Sequence, residues 1–201
     1  MPINNRAVTN WGRAQHAYEH YQQFIAAKTP RCALSFADLA FVKNFKGGSA
    51  LIAEPVATFA AKLRYYEQAL CVCAADPAFS LTLSTIPAGD YSRVRKLIVD
   101  FVTLPEAPAS DIAGFGCSFA SALLHFHFPL VVPILDKRAL NGSGVQGLQV
   151  DSYNNVQNFL SLYPALVDAC RTRLQQQTNL TLRELDRQLF IEELRSPPFR
   201  K

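Results

Sequence analysis

The chain has 201 residues, and 49% of them are hydrophobic, which suits one compact domain or two closely packed lobes and excludes an intrinsically disordered protein. Lysine and arginine exceed aspartate and glutamate by 20 to 16, so the chain permits a nucleic-acid partner but is no polycation. The N-terminal stretch MPINNRAVTNWGRAQHAYEHYQQF lacks the apolar core of a secretory signal, so we expect a cytoplasmic protein without membrane association.

Two helices are predicted in the first fifty residues. Apolar residues at helical spacing from Trp11 to Ile25 predict the first helix, with Asn10 as its N-cap. Ser35 and Asp38 have the spacing of a capping box, in which each side chain bonds a free backbone amide of the other residue. A second helix should therefore begin at about residue 36, and Gly47 can supply the left-handed residue that closes it.

The next segment predicts two more helices, over about 56–74 and behind Asp90 as an N-cap. Cys71 and Cys73 would point to nearly opposite sides of the first of these, so they cannot bind a metal together. No second cysteine or histidine pair completes a zinc or iron–sulfur site in the sequence. We therefore expect reduced cysteines and no metal cofactor bound by cysteine.

The stretch from Ile112 to Leu140 has a different character. Gly114 and Gly116 can turn the chain sharply and expose backbone N–H groups before a helix from about Cys117, an arrangement that accepts a phosphate. The following PLVVPIL contains two prolines in seven residues, which favours a buried extended connector over a sheet strand.

The C-terminal part again predicts helices. The segment NGSGVQGL, at 141–148, separates it from the central block. An apolar stripe then runs from Tyr153 to Tyr163, and we expect Pro164 to interrupt or restart its helix. Thr181 and Glu184 form a second capping-box pair, so a helix should begin at about residue 182. The final SPPFRK should be an extended or disordered arm, and the whole chain is predicted to be all-α.

The glycine turn carries a pattern of two glycines, two apolar residues and an alanine at fixed spacing. It resembles the helix-hairpin-helix of the base-excision DNA glycosylase superfamily, with endonuclease III-like fold, over about residues 90–145. The matching residues are Ile112, Gly114, Phe115, Gly116 and Ala120.

This resemblance implies an architecture of two closely packed helical lobes with a cleft between them. Residues of about 30–130 would form the central lobe, with the hairpin at 104–128. Residues 1–29 and 131–201 would form the second lobe, so that the chain is a single helical domain.

The resemblance also implies a site. The aspartate at the mouth of the family's active-site cleft corresponds to Asp136, which would stabilise the positive charge on the deoxyribose as the N-glycosidic bond breaks. The target base must first leave the DNA stack. Hairpin amides, with a monovalent cation bound by hairpin carbonyls, would hold the DNA backbone. The residues expected to bind nucleic acid are Gly114, Phe115, Gly116, Ser118, Lys137, Arg138 and Lys46.

The sequence departs from the family pattern at three places. Ser118 occupies the position of the nucleophilic lysine of bifunctional members, which predicts hydrolysis without lyase chemistry. The four-cysteine cluster of some members is missing, so no iron–sulfur cluster is expected. Pro105 and Pro108 should make the first hairpin helix short or irregular.

Simpler interpretations stand beside this one. Asp136 also fits the N-cap of a short helix, and Lys46 fits a cation at a helix C-terminus. His125 and His127 face nearly opposite sides of a helix, which favours packing over a shared metal site. The alternative to an enzyme is a non-catalytic protein of the same fold that binds nucleic acid or another protein.

Overall fold

The computed structural model describes residues 5–47, 51–152 and 156–195, with side chains for 11–47, 51–152 and 156–190. Within these ranges the chain forms eight α-helices, two short 3-10 helices and one isolated backbone bridge, so the prediction of an all-α protein is confirmed. In chain order the α-helices are α1 (Asn5–Ala26), α2 (Phe36–Phe45), α3 (Val56–Ala75), α4 (Ala88–Val102), α5 (Cys117–His127), α6 (Lys137–Ser143), α7 (Phe159–Gln176) and α8 (Leu182–Arg195).

Both predicted capping boxes are present. The Ser35 amide donates to Asp38 Oδ2 at 2.8 Å, and the Thr181 amide donates to Glu184 Oε2 at 2.8 Å. Each acid thereby satisfies a backbone group that the first turn of a helix leaves unbonded. Helices α2 and α8 begin where the sequence predicts, and Gly47 follows α2 with a left-handed φ of 99°.

Two predicted N-caps are wrong. Helix α1 begins at Asn5, so Asn10 lies inside it rather than before it. Helix α4 begins at Ala88, behind Pro87 as the N-cap, and Asp90 lies in its first turn. An acid in the first turn interacts favourably with the positive end of the helix dipole, as an acid at the N-cap also does, so the residue type does not distinguish the two positions.

The predicted start of the first helix in the C-terminal part is also wrong. Val156 does not belong to a helical stripe but pairs with Val150 in the isolated bridge. Helix α7 begins only at Phe159, and it continues through Pro164 at the cost of one helical hydrogen bond. Tyr153 and the SPPFRK tail lie outside the described residues.

Helix α5 is the centre of the core. All eight of its residues from Ala120 to His127 are buried, and α1, α2, α4 and α7 pack around it. The connector that follows is also buried, since Val131, Val132, Ile134 and Leu135 are at most 3% exposed. It contains no strand, as predicted, and it leads from the core to the start of α6.

Helix α1 joins the two ends of the chain. In its second half the Tyr21 ring stacks on Phe41 of α2 at 5.2 Å and meets Phe126 of α5 edge-on at 4.6 Å. In its first half Trp11 packs against Phe190 of α8 at 5.6 Å. The second half of α1 therefore packs against α2 and α5, and its first half packs against α8.

Two kinds of feature are missing from the described ranges. None of the helices there combines the length and the apolar character that crossing a membrane requires. The His, Cys, Asp and Glu side chains of the same ranges form no group of three or more that could hold a metal ion. A cation held by backbone carbonyls is another kind of site, and it stays a prediction. Cys71 is exposed and Cys73 is buried, as expected for opposite sides of α3.

Candidate functional site

An open cleft of about 740 Å³ lies between α1, the end of α2, the start of α6 and α8. Three aromatic side chains contribute to its wall, namely Trp11, Phe45 and Phe190. Among the described residues that line it, four are cationic and two are acidic. They are Arg13, Lys46, Lys137, Arg138, Asp136 and Asp186. The part of the cleft that the structure describes therefore offers flat apolar surface together with more cations than acids.

Asp136 is both a helix cap and a cleft residue. Its Oδ1 accepts a hydrogen bond from the Ala139 amide at 2.7 Å, which makes it the N-cap of α6. Its Oδ2 lies 3.6 Å from the Lys46 ammonium, and the side chain is 32% exposed. The helix cap and the contact with Lys46 are thus made by two different oxygens of one carboxylate.

The backbone of Leu135, the residue before Asp136, is held by two serines of α5. Ser118 donates its hydroxyl to the Leu135 carbonyl at 2.7 Å, and the Leu135 amide donates to Ser121 Oγ at 2.9 Å. Ser121 in turn donates to the Ser118 carbonyl at 2.8 Å. Because both backbone groups of Leu135 are bonded, the position of Asp136 is fixed relative to the core. Ser118 lines the cleft, but its hydroxyl is already used in this hydrogen bond.

The predicted cations also gather at the cleft. Lys46 follows the last turn of α2, and its Nζ lies 3.4 Å from the Leu135 carbonyl as well as near Asp136. Arg138 places its guanidinium 4.1 Å from the centre of the Phe190 ring. Lys137 lines the same cleft. The fold therefore brings together residues of α2, α5 and α6 that are far apart in the sequence.

The hairpin itself has the predicted local form. Its first helix is reduced to the 3-10 turn Leu104–Glu106, which contains Pro105. Gly114 has a left-handed φ of 86°, which permits the sharp turn. Gly116 is the N-cap of α5, with an extended conformation that any residue adopts.

An extended segment covers one side of the hairpin. The Ala53 amide donates to the Ala113 carbonyl at 2.9 Å, and the Ala113 amide donates to Glu54 Oε2 at 3.0 Å. Hydrogen bonds from Lys62, Thr58 and this amide lower the pKa of Glu54 to about 2. A carboxylate thus occupies one of the amides that the sequence predicts for a phosphate, and its charge would repel one.

The hairpin opens onto a second cavity rather than onto the cleft. This cavity has about 610 Å³ and lies beside Gly116, between the start of α5 and residues 156–161. Of the described residues that line it, none is lysine or arginine, and Glu106 accepts a hydrogen bond from the Cys117 thiol at 3.2 Å. Ser118 lines both cavities, so the two are adjacent at that residue.

Phe115 does not have the predicted position at a nucleic-acid surface. It is 2% exposed, and its ring packs between Tyr66 at 5.7 Å and Phe119 at 5.8 Å. Its amide donates to the Ile112 carbonyl at 2.8 Å. Both the ring and the amide are used inside the protein, so neither is exposed for the predicted contact with nucleic acid.

Helix α8 contributes a wall of the cleft that no prediction from the sequence includes. Arg183 donates to Asp186 Oδ2 at 2.6 Å. The same guanidinium lies 4.1 Å from the Trp11 ring and 4.7 Å from the Tyr18 ring. Phe190, one turn beyond Asp186, completes this wall. The Asp186 carboxylate therefore belongs to a wall that also contains aromatic rings.

Burial raises the pKa of Asp186 to about 6, although the nearby Arg183 opposes the shift. The negative charge of Asp136 contributes to this rise. A signal for this group was present in the sequence, because Arg183, Asp186 and Phe190 have the spacing of one helix face. The leucine stripe beside them indicated only a core helix.

Other candidate groups lie elsewhere or already have partners. His125 bonds the Val132 carbonyl through Nδ1 at 2.6 Å, and burial lowers its pKa to about 3. Burial also lowers the pKa of His127, to about 4. Both rings are therefore neutral packing groups near pH 7. The cations of α4 form ion pairs, which are Arg93 with Asp90, Arg95 with Asp168 and Lys96 with Asp100.

Comparison with known proteins gives no relative: no protein-family model, no curated protein and no solved structure matches the chain. The similarity of residues 112–120 to a helix-hairpin-helix therefore stays a prediction. The function has to be inferred from the cleft and its side chains.

Proposed function

We propose that the chain is a monofunctional DNA glycosylase that binds DNA in this cleft, between two helical lobes, and hydrolyses an N-glycosidic bond with Asp136. One observation carries the proposal: Asp136 lines an aromatic-walled cleft with Oδ2 3.6 Å from the Lys46 ammonium, and cations outnumber acids among the described residues that line it. A base that has left the stack needs a flat apolar surface, and the DNA backbone needs cations. The cleft offers both beside a carboxylate.

Asp136 has two tasks in this reaction. When the bond between C1′ and the base nitrogen breaks, the electron pair leaves with the base and positive charge develops on the sugar. The carboxylate stabilises that charge, and a water molecule then attacks C1′ and gives its proton to Asp136. Because Ser118 and Ser121 hold the preceding peptide, the carboxylate is already in place and little reorganisation is needed.

Lys46 and Lys137 bind the DNA backbone in this proposal. The Lys46 ammonium balances the charge of Asp136 in the free protein at a distance of 3.6 Å. A phosphate beside the flipped nucleotide would attract this ammonium away from Asp136, which leaves Oδ2 to face the sugar. Ser118 stands at the position of the nucleophilic lysine, so we expect no Schiff base even though Lys46 and Lys137 line the cleft.

The test is to incubate the protein with DNA duplexes that each carry a different damaged base, and to measure alkali-labile abasic sites. Asp136→Asn should lower the rate of release by about 10²–10³-fold, because the stabilising charge is lost. Asparagine caps helices as well as aspartate, so the variant should unfold like the wild type. Release from no duplex, or full activity of the variant, would overturn the proposal. A covalent complex trapped by borohydride would refute the monofunctional mechanism.

The rival is a non-catalytic module of the same fold. It is favoured by the cap that Asp136 Oδ1 provides for α6 and by the Glu54 carboxylate on the hairpin. Salt-dependent DNA binding without base release would indicate a nucleic-acid-binding module. Absence of DNA binding would leave a protein partner.

A further inference from the structure

The two oxygens of Asp186 have different surroundings. Oδ2 accepts a hydrogen bond from Arg183 at 2.6 Å. Within the described residues Oδ1 has no hydrogen-bond donor, although the side chain is only 15% exposed and lines the cleft. A carboxylate oxygen in so sheltered a place normally accepts a hydrogen bond. It is therefore available to a molecule in the cleft.

The carboxylate is held in position through Arg183. The guanidinium lies over the rings of Trp11 and Tyr18, and 5.4 Å from that of Phe45. Its Nη2 also donates to Gln15 Oε1 at 3.2 Å. Since three rings and an amide confine the guanidinium, its hydrogen bond keeps Asp186 in one orientation. A hydrogen-bond acceptor held in one orientation can distinguish between ligands that present their donors at different positions.

We propose that Asp186 selects the base in the cleft and favours guanine-type heterocycles, an inference that depends on the proposed function because it requires a base in this cleft. An ionised carboxylate only accepts hydrogen bonds. Guanine presents two adjacent donors, N1–H and the 2-amino group. Hypoxanthine lacks the amino group. Adenine and cytosine place an acceptor beside their amino group, and uracil places its N–H between two carbonyls.

The flat faces of the base would contact aromatic rings. Trp11 and Phe190 line the same cleft as Asp186, and their rings are 5.6 Å apart at their centres. Base–aromatic stacking tolerates every base, because each has a π-face. Stacking therefore supplies affinity in this proposal, whereas Asp186 supplies the preference.

The charge of Asp186 makes the preference depend on pH. Its pKa is raised to about 6 by burial and by Asp136, against the effects of Arg183 and Lys46. Only the ionised form accepts from both guanine donors, so binding should strengthen as the pH rises through about 6. The other charged groups among the described residues that line the cleft are Arg13, Lys137 and Arg138.

The chain contains one tryptophan, Trp11, so its fluorescence reports on the cleft. We would titrate the protein with dGMP, dIMP, dAMP and dUMP, which share their sugar and phosphate. At pH 7 we expect dGMP to bind about tenfold more tightly than dAMP or dUMP, which corresponds to about 1.4 kcal/mol, because only guanine presents two matched donors; dIMP should lie between them. At pH 5 the preference should shrink.

Asp186→Asn should reduce the preference for dGMP to threefold or less and remove its pH dependence. Asp168→Asn is the matched control, because Asp168 also bonds an arginine, Arg95, at 2.8 Å but lies on α7 and not among the residues that line the cleft. It should keep the wild-type preference. If Asp186→Asn does not fold, the pH dependence of the wild type decides.

No preference in the wild type, a preference that is the same at pH 5 and pH 7, or one that survives in Asp186→Asn would overturn the inference. The readout is binding, so it is independent of base release. Release without a dGMP preference would refute only the role of Asp186. A dGMP preference without release from any duplex would refute only the catalytic proposal.

Discussion

Two cavities meet at Ser118, and they differ in charge. The cavity beside the hairpin is lined by Glu106 and, within the described residues, by no lysine or arginine. The cleft around Asp136 has four cations and two acids among its described lining residues. A phosphate is attracted to the second and not to the first. A turn that exposes backbone amides is thus not sufficient for an anion site, because the side chains around it set the local potential.

The two regions also differ in what covers them. At the hairpin, Glu54 bonds the Ala113 amide, and the Leu51 carbonyl lies against Gly114. In the cleft, the Asp136 side chain is 32% exposed and the Asp186 side chain is 15% exposed, and both line the open volume. We interpret the hairpin as a structural turn that starts α5 and the cleft as the chemical site. Three predictions separate these roles.

The largest effect is expected at the hairpin. A Cβ on Gly114 would lie 1.8 Å from the Leu51 carbonyl oxygen, and the residue has a left-handed φ of 86°. Gly114→Ala should therefore lower the free energy of unfolding by about 3–5 kcal/mol, because a clash adds to backbone strain. Urea denaturation measures this change.

Gly116→Ala is the matched control for that variant. A Cβ there would have nothing within 4 Å, and the backbone is extended. We expect a loss of about 1 kcal/mol or less, from a poorer N-cap. Equal losses for the two glycines would contradict the view that the contact with Leu51 fixes the turn.

The next largest effect is expected at the hydrogen bonds that hold the backbone of Leu135, the residue before Asp136. Ser121→Ala would leave the buried amide of Leu135 without its acceptor, which should cost about 1–3 kcal/mol in thermal unfolding. Ser118→Ala should cost less, since the Leu135 carbonyl keeps the Lys46 ammonium at 3.4 Å. A larger loss for Ser118→Ala would show that the carbonyl, and not the amide, holds the connector.

The smallest effect is on DNA affinity. Lys46→Gln should weaken binding about five- to tenfold at low salt and reduce the slope of log affinity against log salt by about 1. Glu54→Gln, at the hairpin, should change affinity by less than about twofold. Fluorescence anisotropy at several salt concentrations measures both. If Glu54→Gln strengthens binding more than Lys46→Gln weakens it, the DNA backbone lies at the hairpin instead.

Local chemistry made much of the fold predictable. The capping boxes at Ser35 and Thr181 each involve residues three positions apart, so the sequence alone predicts the starts of α2 and α8. The two prolines of the connector predict its extended form in the same way. Asn10 and Asp90 were misread because many residue types cap a helix or lie in its first turn, and neighbouring residues do not distinguish the two.

The sequence by itself also predicts the cluster at Asp136, because Lys137 and Arg138 follow it directly. Other features required the packed structure. Phe115 is equally apolar in a core and at a DNA surface, and only Tyr66 and Phe119 around it place it in the core. Lys46 and Asp186 join Asp136 from helices at opposite ends of the chain. Contacts between such distant segments depend on how whole helix faces bury their apolar surface, which no local pattern specifies.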